Sequence, residues 1–219
     1  MKKKDRGIPY TSEKIAEDLP VTIINRYGQV SIHLPRIDDA KRWAGYPGLT
    51  GISRRLAAFI ENLNPMTTYC EPFAGAAKVY QALDKKHGKF YRYILNDKSD
   101  FIYGWLKSQF TKKNIIVSNL DFGLCMLKWD SEKTLFVIDP PWNKSYYLQT
   151  FSCFDRNSVK EYDEQVLELC RKLKGKFIIT TRKENKLMLN SEFNHKLMTS
   201  EYAVSGKYPK VLLTTNLVI

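Results

Sequence analysis

Apolar and polar positions follow two rhythms along this chain. Short apolar runs rich in β-branched and aromatic residues recur as TTYC (67–70), FYRYILND (90–97), NIIVSNL (114–120), TLFVID (134–139) and KFIITT (176–181), and they predict buried strands. Between them, apolar positions three and four apart predict helices at AAKVYQALDKK (76–86), stopped by His87 and Gly88, at SDFIYGWLKSQF (99–110) and around 122–127. Ser158 reads as the cap of another helix, with Val159, Tyr162, Val166, Leu169 and Leu173 along one stripe and Gly175 closing it. A further helix is expected at 53–63, after a segment of about fifty residues without clear pattern. Near the end, 193–204 and 210–219 read as two strands joined at SGKYP. The fold class expected is α/β: a doubly wound, mostly parallel sheet covered on both faces, with a C-terminal antiparallel hairpin at its edge.

Composition narrows the picture. With 219 residues, of which 43% are hydrophobic, the chain can bury one sizeable core. No apolar run is long enough for a bilayer, and MKKKDRGIPY lacks the apolar core of a secretory signal, so the expectation is a cytoplasmic protein without a membrane partner. Cys70, Cys125, Cys153 and Cys170 form no CxxC pair, which argues against a zinc site and a disulfide framework and for reduced thiols. No GxSxG elbow and no GKT or GKS phosphate loop occurs, which removes hydrolase and nucleoside-triphosphatase readings. His33, His87 and His195 are far apart and read as surface residues, Trp105 and Trp129 as core.

Charge points outward. Thirty-five Lys and Arg against 23 Asp and Glu leave a formal +12, which suits either a polyanionic partner, nucleic acid foremost, or a basic surface kept for solubility.

In a sheet of this kind ligands bind beyond the carboxyl ends of the strands, so the loops there carry the chemistry. In EPFAGAA, Gly75 permits a backbone shape or close approach that a side chain would block, at the N-terminus of the next helix. Alone, such a loop is also an ordinary tight turn. ILND ends the following strand on Asp97, at an offset from Gly75 that suits an acid binding the ribose hydroxyls of an adenosine-containing cofactor; Asp97 could equally cap the helix after it. TLFVIDPPW ends on Asp139, Pro140, Pro141 and Trp142. The carboxylate only accepts hydrogen bonds, and the prolines stiffen the chain while leaving their carbonyls available. That row of acceptors suits an exocyclic amino group, and the Trp142 ring a flat base stacked beside it. Fixed acceptors also help such a nitrogen, whose lone pair is delocalised into its ring, to become a nucleophile.

EPFAGAA, ILND and VIDPPW, in that order, resemble the Dam-related adenine-specific DNA methyltransferases, compact members in particular. RWAGYPG (42–48), SNLDF, LCRKLKGKFIITT and VLLTTN extend the resemblance to the end of the chain. It implies a Rossmann-like methyltransferase fold over 42–219, with S-adenosyl-L-methionine as cofactor. It also implies that Trp43, Ala44, Pro47 and Gly48 hold the cofactor's methionine end, that Glu71, Pro72, Phe73 and Gly75 form its main loop, and that Asp97 binds the ribose. Asp121 and Phe122 would lie beside the cofactor's adenine. Asp139 and the Pro140 carbonyl would take the amino group of a flipped adenine, Pro141 would stiffen the loop, and Trp142 would stack on the base.

The chain departs from that family at Leu49 and Thr50, where a glycine and a lysine are usual, at Ala77, usually glycine, and at Trp142, usually tyrosine. The last matches adenine methyltransferases acting on RNA, although the order of motifs is that of the DNA group. Methylation of RNA, or nucleic-acid binding without catalysis, are therefore the alternatives. Only about forty residues separate Asp97 from Asp139, too few for a recognition domain. Substrate contacts are expected instead from an N-terminal extension, 1–41, from 143–157 with Tyr146, Tyr147 and Arg156, and from the tip SGKYPK.

Overall fold

The computed structural model describes residues 21–24, 30–33, 49–63, 65–84, 90–141, 158–199 and 210–218. Among them the strands are β1 (Val21–Ile24), β2 (Val30–His33), β3 (Thr68–Glu71), β4 (Arg92–Asn96), β5 (Ile115–Ser118), β6 (Thr134–Ile138), β7 (Lys176–Arg182), β8 (Asn194–Thr199) and β9 (Lys210–Thr215). The helices are α1 (Leu49–Glu61), α2 (Lys78–Asp84), α3 (Asp100–Gln109), α4 (Phe122–Trp129), α5 (Ser158–Lys172) and α6 (Lys186–Leu189).

Seven strands form one sheet in the order β5-β4-β3-β6-β7-β9-β8. The pairs from β5 to β7 are parallel, and β9 pairs antiparallel with both β7 and β8. The fold is thus the Rossmann-like, doubly wound arrangement expected, with its antiparallel hairpin. Two apolar clusters cover the two faces because strand side chains alternate. Tyr69, Leu95, Val137, Ile178 and Leu213 pack with Ile52, Leu56, Ile60, Tyr80 and Leu106 of α1, α2 and α3. Cys70, Ile94, Phe136, Ile138 and Ile179 pack with Cys125, Met126, Val166 and Cys170 of α4 and α5. Every residue of β6 is buried, as a strand covered on both faces requires.

Several details differ from the sequence reading. The chain's last strand lies inside the sheet and the one before it at the edge, so β9 is almost wholly buried while β8 is largely exposed. VTII and VSIH pair antiparallel as a separate two-stranded sheet in a segment read as unpatterned; each has only four residues, too few to show a convincing alternation. α1 starts at Leu49, and Ser53 is a buried residue inside it rather than its first. α5, by contrast, begins at Ser158, where the sequence placed its start.

Gly175 is not a left-handed helix stop: the glycine with positive φ among those described is Gly75. A Cβ on Gly175 would lie 2.9 Å from the Thr134 carbonyl oxygen and 3.0 Å from that of Ser131, so the position is glycine for close approach of two backbones. Trp105 is core as expected, whereas Trp129 is half-buried, with the Arg92 guanidinium 5.6 Å from its ring centre. Cys70, Cys125 and Cys170 are buried free thiols. No helix among the described residues is long and apolar enough to cross a membrane.

Candidate active site

β3 pairs with β4 on one side and β6 on the other, so the chain order reverses at this pair and a crevice opens between the loops leaving β3 and β6. EPFAGAA leaves β3 there. The Ala74 N–H donates to the Asn96 carbonyl at 2.7 Å, which ties the loop to the end of β4. Gly75 then turns at φ 48° and donates its N–H to Asp97 Oδ2 at 3.0 Å. The two sequence signals, twenty-two positions apart, are thereby one structural unit. Ala77 also adopts a left-handed φ of 50°, which explains why glycine is usual at this position in the family resembled.

Glu71 turns inward. Its Oε1 accepts from the Tyr69 hydroxyl at 2.5 Å and from the Tyr80 N–H at 2.8 Å, the latter in the first turn of α2. Burial pushes its carboxyl up to about 7, against those two hydrogen bonds, and the nearby Asp139 charge adds to the rise. The side chain of this expected cofactor residue is spent on anchoring α2 and lining the interior. Pro72 is buried, and its carbonyl accepts from Asn96 Nδ2 at 3.0 Å.

Asn96 is the residue that sequence reasoning missed. Wholly buried at the end of β4, it donates from Nδ2 to the Pro72 and Leu120 carbonyls and accepts at Oδ1 from the Ser118 hydroxyl and the Leu120 N–H, at 2.8–3.0 Å. One side chain thus joins the loops after β3, β4 and β5. The clue in the sequence was an amide beside an acid at a strand end; what it joins depends on neighbours 24 residues away on either side. Asp97 itself does not cap α3. Ser99 does, while Asp97 Oδ1 accepts from the Ser99 N–H at 3.0 Å.

Asp139 stands half-buried at the tip of β6, before the buried Pro140 and Pro141. The β6–β7 register pairs Ile138 with Ile179, so the next positions, Asp139 and Thr180, fall side by side on one face. The Thr180 hydroxyl donates to Asp139 Oδ1 at 2.5 Å. Val137 and Tyr69 lie on this face, which places Asp139 on the same side of the sheet as Glu71.

Asp121 caps α4 through the Gly123 N–H and pairs with Lys98 at 3.2 Å. Phe122 is buried and stacks on Phe73 at 4.9 Å, with Tyr162 closing the aromatic group. The Phe122 ring is therefore packed, and Asp121 is the more exposed of the two. An open hollow of about 430 Å³ adjoins both, between α4 and α5. Trp43, Ala44, Pro47, Gly48 and Trp142, with Tyr146, Tyr147, Arg156 and most of SGKYPK, lie outside the described residues.

Residues 50–121 match the D12 class N6 adenine-specific DNA methyltransferase family. The matched stretch contains the Gly75 loop, Asn96, Asp97 and Asp121, and so two of the three main motifs of the resemblance; VIDPPW lies beyond it. No curated protein matches the sequence. Among solved structures, an S-adenosylmethionine-dependent methyltransferase from Leishmania major is similar with a TM-score of 0.52 and 11% identity, over 90% of this chain and 96% of that one. A conserved hypothetical protein from Streptococcus pyogenes is similar at TM-score 0.51 and 12% identity, over 74% and 94%. The N-terminal domain of human METTL16 is similar at 0.50 and 9%, over 90% and 88%. At these identities the likeness is one of fold, the Rossmann-like sheet described above.

Proposed function

We propose that this chain transfers a methyl group from S-adenosyl-L-methionine to the exocyclic amino nitrogen of adenine in DNA. The observation that carries the reading is Asp139 held at the tip of β6, beside the strand whose loop carries Gly75, within a chain whose residues 50–121 match an adenine-specific DNA methyltransferase family.

The crevice suits the cofactor in the chemistry of its donor set. Gly75 gives a backbone turn without a side chain, and Asp97 holds its carboxylate at the end of β4 with one N–H on each oxygen. S-adenosyl-L-methionine supplies a methyl group on a sulfonium, a leaving group that even a weak nitrogen nucleophile can displace. In this reading Gly75 and Asp97 bind it, with Asp121, and with Trp43, Ala44, Pro47 and Gly48 from the segment ahead of α1.

Asp139 and the Pro140 carbonyl would accept hydrogen bonds from the target's amino group, which draws electron density onto its nitrogen; the N–C bond would form as the S–C bond breaks to leave a neutral thioether, and the surplus amino proton would pass to water. Because these acceptors are fixed in advance, they do not have to reorganise during the step. Trp142 stacks on the base, which leaves its helix to reach the loop. The formal +12 supports a polyanionic substrate. Residues 42–219 form the methyltransferase domain in this account, and 1–41 contribute substrate contacts.

The test offers purified protein and methyl-labelled cofactor to matched DNA and RNA of one sequence. Label on adenine of DNA supports the reading. Label confined to RNA, the alternative that the DPPW sequence favours, replaces it, and cofactor or nucleic-acid binding without transfer indicates a relative that does not catalyse.

A further inference from the structure

Resting on that reading, we propose that Thr180 is a positioning residue for Asp139: its hydroxyl fixes the plane of the acceptor carboxylate that receives the target amino group. Thr180 lies in the buried middle of β7, in the run KFIITTR, where packing alone would be met by valine, which has the same shape. Buried at 1% exposure, a hydroxyl is unfavourable there unless it has a partner. The Thr180 hydroxyl donates to Asp139 Oδ1 at 2.5 Å, on the neighbouring strand and 41 residues away in sequence.

The parallel register makes this pairing obligatory. Ile138 faces Ile179, so Asp139 and Thr180 leave adjacent strands at the same height and toward the same face. Committing Oδ1 to a rigid β-branched donor restrains the carboxylate's rotation. A β-branched side chain has few χ1 choices, so the donor is itself preorganised. The next threonine differs: Thr181 alternates to the opposite face, and its hydroxyl reaches, among the described residues, the adjacent Arg182 carbonyl at 3.5 Å.

The experiment compares wild type, Thr180→Val and Thr180→Ser for kcat and KM on an adenine-containing DNA, cofactor affinity by calorimetry, and thermal midpoint. Valine keeps the shape and removes the donor; serine keeps the donor. Thr180→Val is expected to lower kcat by about 10- to 100-fold, as misplacement of a reacting group does, with cofactor affinity nearly unchanged. Thr180→Ser is expected to recover most of that loss. Wild-type kcat in Thr180→Val overturns the proposal, and so does a serine variant as impaired as valine, which would make the role one of shape. A wild type that binds cofactor yet labels no adenine overturns the methyltransferase reading and this inference with it, an outcome distinct from an active valine variant.

Discussion

At the amino ends of the strands, the Asp130 carboxylate accepts from the Lys174 and Gly175 N–H groups, while the Thr134 hydroxyl donates to the Trp129 carbonyl at 2.7 Å. At the carboxyl ends, Asn96 joins the loops after three strands, Asp97 holds Gly75, and Thr180 holds Asp139. The first set fastens two turns to each other around Asp130, which is half-buried beside the exposed Lys174, so water can replace a lost partner of that carboxylate, although Thr134 is itself buried. The second is largely buried, links loops, and includes the carboxylates Glu71, Asp97 and Asp139. A buried polar network is favourable only when complete, since any member left alone retains its full desolvation penalty. Both ends hold a carboxylate; at the carboxyl ends the carboxylates belong to a buried network that links loops, and at the amino ends Asp130 joins two turns within reach of water.

Substitutions at the two ends sharpen that contrast. Asn96→Ala should have the largest effect on stability, because it orphans the Pro72 and Leu120 carbonyls and the Leu120 N–H in the interior. A loss of about 3–5 kcal/mol by urea unfolding is expected, together with weaker cofactor binding. A loss below about 1 kcal/mol would show the hub to be incidental.

Glu71 should show itself through pH. Its folded carboxyl titrates at about 7 against an ordinary value of 4.5, so between those values the folded state holds more protons than the unfolded state. Its contribution to stability is therefore fully present below 4.5 and is lost as pH rises through 7. Relative to Glu71→Gln, which keeps an acceptor for Tyr69 and Tyr80, the wild type should lose about 3 kcal/mol over that window. A wild-type-minus-variant difference that stays flat with pH would contradict the burial described for this group.

Asp130→Ala, at the opposite end, should cost only about 1–2 kcal/mol and leave methyl transfer unchanged. A large fall in activity there would erase the distinction between the two ends.

The sequence made the carboxyl-end loops legible because residues of special chemistry stood where apolar runs stopped: Gly75 after TTYCEPFA, Asp97 after YILN, Asp139 after TLFVI. Alternating strands and helices likewise conveyed the parallel sheet. What stayed hidden depends on register and neighbours. Nothing local to KFIITT says that Thr180 meets Asp139, and nothing local to ILND says that Asn96 as well as Asp97 joins the loops. Glu71 read as a loop residue, yet its alternation with Tyr69 turns it onto the inner face. Gly175 read as a helix stop because the sequence cannot reveal the Thr134 and Ser131 carbonyls lying over it. The place of β9 between β7 and β8 is a choice of pairing partner, to which both strands' apolar patterns are indifferent. Ala77 ran the other way: noted as a departure from glycine, it became intelligible once its φ of 50° was known.

The most direct measurement of the central claim is methyl transfer to adenine by Asp139→Ala, with S-adenosyl-L-methionine uptake measured on the same sample by calorimetry. Cofactor binding close to that of the wild type is expected, with label on adenine lowered at least about 100-fold, the loss that follows when a fixed transition-state partner is removed. Wild-type labelling by this variant would contradict that claim.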